Sequence, residues 1–362
     1  MDQLLVNKRM AKKTNKAIKA ARKKSLKMYG RTKKPIVKNK PGKFAECVTE
    51  QHAKARRPVI KVTATKQELI QKVREAGLTG MSGSNFPVDR KLEAFDKSET
   101  SGKILLINGA ECEPGLVHDQ WLIYEYFEEI CAGISLIAGA FGISRKILAA
   151  KDFCLHTVAD LEAKITLYKL PVRYPIGEEH VLIRQVLGVE MSNDSIPADN
   201  GILLLNVQTV LAIYRLFRGE SIDGKYVTIA DLDAARAEAV YVKYGEKIQD
   251  KLTEYFGQGR SFYAGHGTFA AHELQKDEVF SGEISFACVA TEVAHNSNEN
   301  KCKGCGGCQR ICPQGVNIKE IVRRKEKDGN AELSGLGIEK CIHCNSCTYV
   351  CKAAKNIAEY LQ

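Results

Sequence analysis

Eight cysteines near the end of the chain constrain it more than any other feature. They stand as Cys302-x2-Cys305-x2-Cys308-x3-Cys312-Pro313 and again as Cys341-x2-Cys344-x2-Cys347-x3-Cys351. Three thiolates three residues apart, carried on a tight loop, can converge on three irons of one cubane. The fourth lies too far along the following helix to close the same loop, and in paired runs it ligates the other cluster. The spacing therefore predicts two [4Fe–4S] clusters. Cys302, Cys305, Cys308 and Cys351 hold one, and Cys341, Cys344, Cys347 and Cys312 hold the other. Zinc is the poorer reading, because its sites use two separated pairs rather than four cysteines within eleven residues. Disulfides need an oxidising compartment, and only Leu4-Leu5-Val6 stands where a secretory apolar run would be. The second run has Lys352 where the first has Pro313, which alters the turn after the helix and not the ligation. Cys47, Cys112, Cys131, Cys154 and Cys288 share no metal spacing. Cys131, Cys154 and Cys288 read as small core residues.

Clusters imply electron transfer, and the charge pattern suits a partner. The net charge of +11 is unevenly spread: residues 1–60 carry +16, residues 61–297 carry −9, and residues 298–362 carry +4. A uniformly basic nucleic-acid-binding body is thereby excluded. Each oxidised cluster with its four thiolates carries about −2. Lys303, Arg310 and Lys352 beside the cysteines should raise the potentials and favour an acidic redox partner. The basic arm, 1–60, has helical spacing of its cations in the first half and Pro35, Pro41 and Pro58 in the second. It offers little aromatic surface for bases, so it reads as a partner-docking segment. The best apolar stretch, Ile130–Ile143, holds three glycines and a serine and is too short to span a bilayer. The expected location is cytoplasmic, with peripheral attachment to a membrane or larger complex allowed.

Between the arm and the cysteines the pattern alternates. Ile104–Ile107, Lys146–Ala150 and Ile202–Leu205 read as buried strands. A helix is expected from Asp119 to Phe141 and another from Val210 to Arg218. Such alternation gives an α/β domain with a mostly parallel sheet, whose ligands sit at the carboxyl ends of the strands. Those ends carry Asn108–Gly115 and Asn206–Thr209, and Tyr174–Glu179 joins them as a third candidate segment. From Lys225 the pattern changes to strands at Tyr226–Ala230 and Ala239–Val242 and a helix over Lys247–Tyr255, the mark of a small β-grasp module. The expected divisions are 1–60 (arm), 61–222 (Rossmann-like α/β), 223–297 (β-grasp) and 298–362 (two-cluster ferredoxin type).

Several motifs stand in one order. Gly77-Leu-Thr-Gly80-Met-Ser-Gly83-Ser-Asn-Phe86-Pro87 is followed by Lys91, then by Asn108-Gly-Ala-Glu111-Cys-Glu113-Pro114, Gly177-Glu178-Glu179, Pro197-Ala198-Asp199 and Asn206-Val207-Gln208-Thr209. In this the chain resembles the RnfC-like component of the Rnf electron-transport complex and the related cobalamin reductases. More distantly it resembles the flavin-bearing, NADH-binding subunit of respiratory complex I. The resemblance covers about Gly77 to Cys351. It implies FMN in the α/β domain, exchange of electrons with NAD(H), and membership of a multiprotein redox complex. Backbone amides of the Gly80–Asn85 loop, Gly83 among them, would approach the FMN phosphate with Lys91 adding charge. Asn108, Asn206 and Thr209 would hydrogen-bond the cofactor. Glu111, Gly177, Glu178 and Glu179 would lie near the ring edge or a nicotinamide. The loop departs from the family's Gly-x-Gly-Gly-Ala-Gly-Phe-Pro at Ser82, Ser84 and Asn85. Asn tolerates left-handed backbone, so the turn can survive.

Three functions follow in decreasing order of support: an iron–sulfur flavoprotein oxidoreductase linking NAD(H) to a partner, a flavin-free relay subunit feeding a reductase, and a redox-sensing nucleic-acid binder.

Overall fold

In the computed structural model, residues 58–361 are described, apart from 83–84, 112, 152–164, 193 and 292–297. The basic arm, Cys47, Gly83, Cys112 and Cys154 thus fall outside the described residues. The first unit opens with α1 (Lys66–Glu75), closed by a Thr65–Glu68 capping box, and α2 (Val88–Lys97). Strands β1 (Ile104–Gly109), β2 (Arg145–Lys151), β3 (Ile165–Leu170) and β4 (Ile202–Asn206) form one parallel sheet in the order β3-β2-β1-β4. Helices α3 (His118–Glu125), α4 (Phe127–Phe141), α5 (Glu179–Leu187) and α6 (Val207–Phe217) cover it. Leu105, Ile107, Leu203 and Leu205 pack against the α1, α4 and α6 side, whereas Leu106, Ile147 and Leu204 pack against Ile176, Leu182 and Ile183. A sheet buried on both faces explains why its strands read as continuous apolar runs.

Two helices differ from expectation. The single helix anticipated from Asp119 is broken at Tyr126, which ends α3 and starts α4. Its hydroxyl meets that of Tyr226 at 3.0 Å, and its ring packs edge-on against Trp121. These contacts draw the residue out of helical geometry. Helix α6 starts three residues earlier than expected, because the Asn206 side chain caps it by accepting from the Gln208 N–H at 2.8 Å.

The second unit holds β5 (Gly224–Asp231), β6 (Arg236–Lys243), α7 (Ile248–Phe256), β7 (Ser261–Gly265), β8 (His272–Glu273) and β9 (Phe286–Ala290). Its sheet order is β6-β5-β9-β7-β8, with β5 and β9 parallel at the centre and the other pairs antiparallel. That is β-grasp topology, with α7 packed over Val227, Val240 and Val289. The third unit carries the cysteines between α8 (Gly307–Ile311), α9 (Ile318–Lys327) and α10 (Ser346–Tyr349). Its small core is Val316, Ile318, Ile321, Val322, Ile357 and Leu361. No helix among the described residues is long and apolar enough to cross a membrane.

The units are bolted together by buried polar groups. Gln208, 3% exposed, bonds both the N–H and the carbonyl of Tyr226. Thr228 Oγ1 accepts from the Val117 N–H at 2.9 Å, and Thr268 Oγ1 donates to the Pro114 carbonyl at 2.6 Å.

Gly133 sets how closely α4 approaches α6: an added Cβ would stand 2.8 Å from both Val210 Cγ1 and the Val210 carbonyl oxygen. Gly139, further along the same helix, meets nothing within 4 Å. Gly133→Ala should cost about 1–3 kcal/mol by overpacking, and Gly139→Ala should add roughly 0.5–1 kcal/mol. Denaturant unfolding of the two variants should give shifts of opposite sign.

Candidate functional site

The eight thiols of the tail gather in two cavities. Cys302, Cys305, Cys308 and Cys351 line one, together with Lys303, Lys319 and Val322. Cys312, Cys341, Cys344 and Cys347 line the other, together with Ile342, His343 and Asn345. Each cavity therefore takes three thiols from one run and the fourth from the other run. Left-handed backbone at Gly304 and Gly306 in the first loop, and at His343 and Asn345 in the second, bends the chain tightly enough to aim successive thiols inward. The Gly304 N–H donates to Cys302 Sγ at 3.4 Å. The Gly307 N–H, and next to it Lys352, hold the Cys305 thiol below its ordinary range. Amides and cations of this kind stabilise thiolate and raise the potential of a bound cluster.

The two cavities are placed differently. Cys302 and Cys305 are exposed, whereas Cys347 is buried. The second loop is docked on the α/β unit: the Tyr174 hydroxyl donates to the Cys344 carbonyl at 2.8 Å. Ile342 packs against the core that holds Ile176 and Leu182. Arg184 on α5 donates to the Pro313 carbonyl and to Gln314 Oε1, both at 3.1 Å. Phe269 of the β-grasp unit bridges Tyr174 and Tyr349 at centroid distances of 5.1 and 5.3 Å. The Cys341 loop is thus the inner one and the Cys302 loop the outer.

At the carboxyl end of the parallel sheet, Asn108 and Asn206 are register partners on β1 and β4. Asn108 Nδ2 donates to the Gly177 carbonyl at 2.8 Å, and its Oδ1 accepts from the Ala110 N–H. Asn206 Nδ2 donates to Asp119 Oδ2 at 2.7 Å and to the Asn108 carbonyl at 3.3 Å. The Thr209 hydroxyl accepts from the Met81 N–H at 3.1 Å, which holds the Gly80–Phe86 loop down over the amino end of α6. That loop is closed by the Gly80 N–H donating to the Phe86 carbonyl. Asn85 adopts φ +49°, the left-handed conformation expected of it. Lys91 reaches the same end of the sheet, donating to the Leu204 carbonyl at 3.3 Å with Glu179 at 3.7 Å. Glu178 faces elsewhere: its carboxylate caps α5 through the Val181 N–H and meets His180 Nδ1 at 3.0 Å.

Glu111 is buried at the end of β1 and has company that the motifs did not disclose. With His118 and Asp119 it forms a group whose ligand atoms lie within 4.8 Å of one another. Its Oε2 accepts from the Gln120 N–H at 3.0 Å, while among the described residues its Oε1 and Asp119 Oδ1 have no hydrogen-bond partner. Burial, and then the Asp119 charge, raise the Glu111 carboxyl; burial also raises Asp119. Burial, and next to it Lys225, push His118 down to about 3, so it is neutral. Lys225, itself pushed down to about 8 by burial, donates to the Gly282 carbonyl and Ser285 Oγ. His118, Asp119 and Lys225 come from two units, and no spacing in the sequence joins them.

Comparison with known proteins agrees with this architecture. Residues 73–215 match the Nuo51 FMN-binding domain, and residues 301–355 match a 4Fe-4S dicluster domain. The RnfC-type component of the ion-translocating oxidoreductase complex of Vibrio cholerae serotype O1 is 29% identical over 262 residues, which is 69% of this chain and 33% of that protein. The corresponding component of the Na(+)-translocating ferredoxin:NAD(+) oxidoreductase complex of Acetobacterium woodii is 25% identical over 270 residues, 71% of this chain and 60% of that protein. The chain thus spans between a third and three fifths of the length of these relatives. A crystal structure of an NAD+-reducing [NiFe]-hydrogenase in its H2-reduced state aligns over 94% of this chain and 69% of its own, with a TM-score of 0.56 and 17% identity. The resemblance to the RnfC-like proteins and to the complex I flavin subunit is borne out, as are the α/β and ferredoxin-type fold and the FMN and [4Fe–4S] cofactor types.

The residues present fit these groups in kind. Two sets of four thiols suit two cubanes. The Lys91 ammonium on the Leu204 carbonyl, and the amino end of the eleven-residue helix that follows the same strand, are the donor chemistry a phosphate requires.

The buried carboxyls make stability depend on pH. Well above 6.5 His118 is neutral whether folded or unfolded, and well below about 8 Lys225 is charged in both states. Between these limits the folded chain holds more protons than the unfolded one, because the carboxyls, Glu111 above all, are raised. Stability should therefore fall as pH rises from about 7 to 7.5, by about a degree in Tm. Glu111→Gln should flatten that slope, and an unchanged slope in the variant would contradict the assignment.

Proposed function

We propose that this chain is the electron-transfer module of a multisubunit oxidoreductase, carrying electrons between NAD(H) and a partner redox protein through FMN and two [4Fe–4S] clusters. The related proteins named for ion-translocating and ferredoxin:NAD(+) oxidoreductase complexes support this reading. So does one structural observation above all. Segment 174–177 touches the strand-end site at one end, through Asn108 Nδ2 and the Gly177 carbonyl, and the inner cysteine loop at the other, through the Tyr174 hydroxyl and the Cys344 carbonyl. A continuous covalent and hydrogen-bonded route therefore joins the two redox sites.

In this reading residues 61–222 form the flavin unit, 223–297 the β-grasp module and 298–362 the cluster unit. Bound FMN supplies the exchange between a hydride pair and single electrons. Lys91 and the amino end of α6 hold its phosphate, and Gly80 and Gly83 allow close backbone approach. Met81, 3% exposed, keeps water from the site. Asn108, Asn206 and Thr209 orient the cofactor once the loop releases the Met81–Thr209 hydrogen bond. Glu111, Gly177 and Glu179 stand toward the ring edge, whereas Glu178 is kept as the cap of α5. Cys312, Cys341, Cys344 and Cys347 would hold the inner cluster, on the side of the flavin unit, and Cys302, Cys305, Cys308 and Cys351 would hold the outer one, on the side open to a partner. Attachment to the complex is peripheral.

A flavin-free relay is the second reading. It is favoured by the engagement of Asn108, Asn206 and Thr209 with their own chain.

Anaerobic purification separates the two. Eight irons, four per cluster, with about one releasable flavin bleached by NADH, are expected from the first reading. Cluster absorbance without flavin would establish the second, and far fewer irons would overturn both. Cys351→Ser should degrade the cluster of the Cys302 run and spare the other, read as loss of one of two paramagnetic signals on reduction. Loss of the Cys341-run signal instead would overturn the crossed ligation.

A further inference from the structure

We infer that the outer cysteine loop is a docking port for an acidic one-electron carrier protein, seated on Lys303, Arg310, Lys319 and Lys352 around the exposed Cys302 and Cys305. This rests on the reading of those cysteines as cluster ligands and names the partner's chemistry. The two cavities differ in the cations around them. Lys303 and Lys319 line the outer one, and the fields of Lys352 and Arg310 reach Cys305. The inner one is lined by no lysine or arginine. All four cations are exposed, and among the described residues none is ion-paired with a carboxylate. Lys303 donates to the Lys352 carbonyl and Arg310 to the Cys305 carbonyl, so two of the charges are fixed against the loop rather than swinging in solvent. No carboxylate lines the cavity, and the nearby Glu320 is taken up by Arg323 and Arg324.

A cluster of charge about −2 leaves this rim about +2, so the port stays positive when the cluster is oxidised. Ile311, 39% exposed at the end of α8, adds an apolar contact beside the charged rim. An exposed redox centre, a fixed cationic collar and one apolar anchor form a surface for brief, electrostatically steered encounters. The inner loop is the poorer port, because it is docked on the α/β unit through Tyr174, Ile342 and Arg184 and has no lysine or arginine in its cavity lining. The transfer is balanced without bond changes: the reduced outer cluster loses one electron, one centre of the carrier gains it, and no proton moves. The reductant is the electron source of the proposed function or, in the test, a stoichiometric chemical reductant.

The test uses the full chain with its clusters assembled under anaerobic conditions. Binding of a labelled acidic two-cluster ferredoxin is followed by fluorescence anisotropy at increasing salt. The wild type should bind at low salt and weaken at least tenfold by about 300 mM salt. The double variant Lys303→Glu/Lys352→Glu should lose at least tenfold at low salt with its iron content intact, and Lys319→Gln should lose less. Basic cytochrome c should bind the charge-reversed protein better than the wild type. Salt-independent binding, or unchanged binding by the variants in protein holding its eight irons, would overturn the port and leave the electron-transfer reading standing. Protein that never holds those irons would overturn both.

Discussion

The structure depends on an exchange: each cysteine run lends its last thiol to the other run's cavity. Neither loop is complete alone, so the tail folds as one body with two sites. The crossing is also what makes the sites unequal. Arg184, Tyr174 and Ile342 grip the second run and the Pro313–Gln314 turn beside Cys312, which leaves the first run outermost. These contacts between units therefore fix an inner and an outer position.

Much of this was legible in the sequence because it is periodic or local. The doubled x2-x2-x3 spacing implied the crossed sets. The apolar runs at Ile104, Lys146 and Ile202 implied parallel strands, and the change of pattern at Lys225 announced the β-grasp unit. Asn85 in left-handed backbone was readable because asparagine accepts that conformation where glycine would otherwise stand. The break at Tyr126 was not readable, because its cause is Tyr226, a hundred residues away in another unit. Strand β3 carries Ile165, Leu167 and Leu170 only partly or singly buried at the sheet edge, a weak signal next to the central strands.

The strand-end site shows the same division. Motif order placed Asn108, Asn206 and Lys91 together at the right end of the sheet. It could not show that the Asn206 carboxamide bonds the Asn108 carbonyl and that of Asn108 the Gly177 carbonyl, that Glu178 serves α5 rather than the sheet end, or that Glu111 shares its burial with His118, Asp119 and Lys225. Those are long-range facts, set by which unit lies on which. A buried charged group of this kind persists only where neighbours compensate it. Here the compensating Lys225 comes from the β-grasp sheet, so the electrostatics of the flavin unit are completed by its neighbour.

Gly282 carries a consequence of that arrangement. A side chain there would stand 2.2 Å from Asn85 Oδ1, so the glycine-rich loop leans directly on the β-grasp turn. The carbonyl of the same glycine holds the Lys225 ammonium, which in turn faces Asp119 and His118. The glycine-rich loop and the ammonium of the buried ionic group thus rest on one and the same residue, which leaves room for no side chain between them.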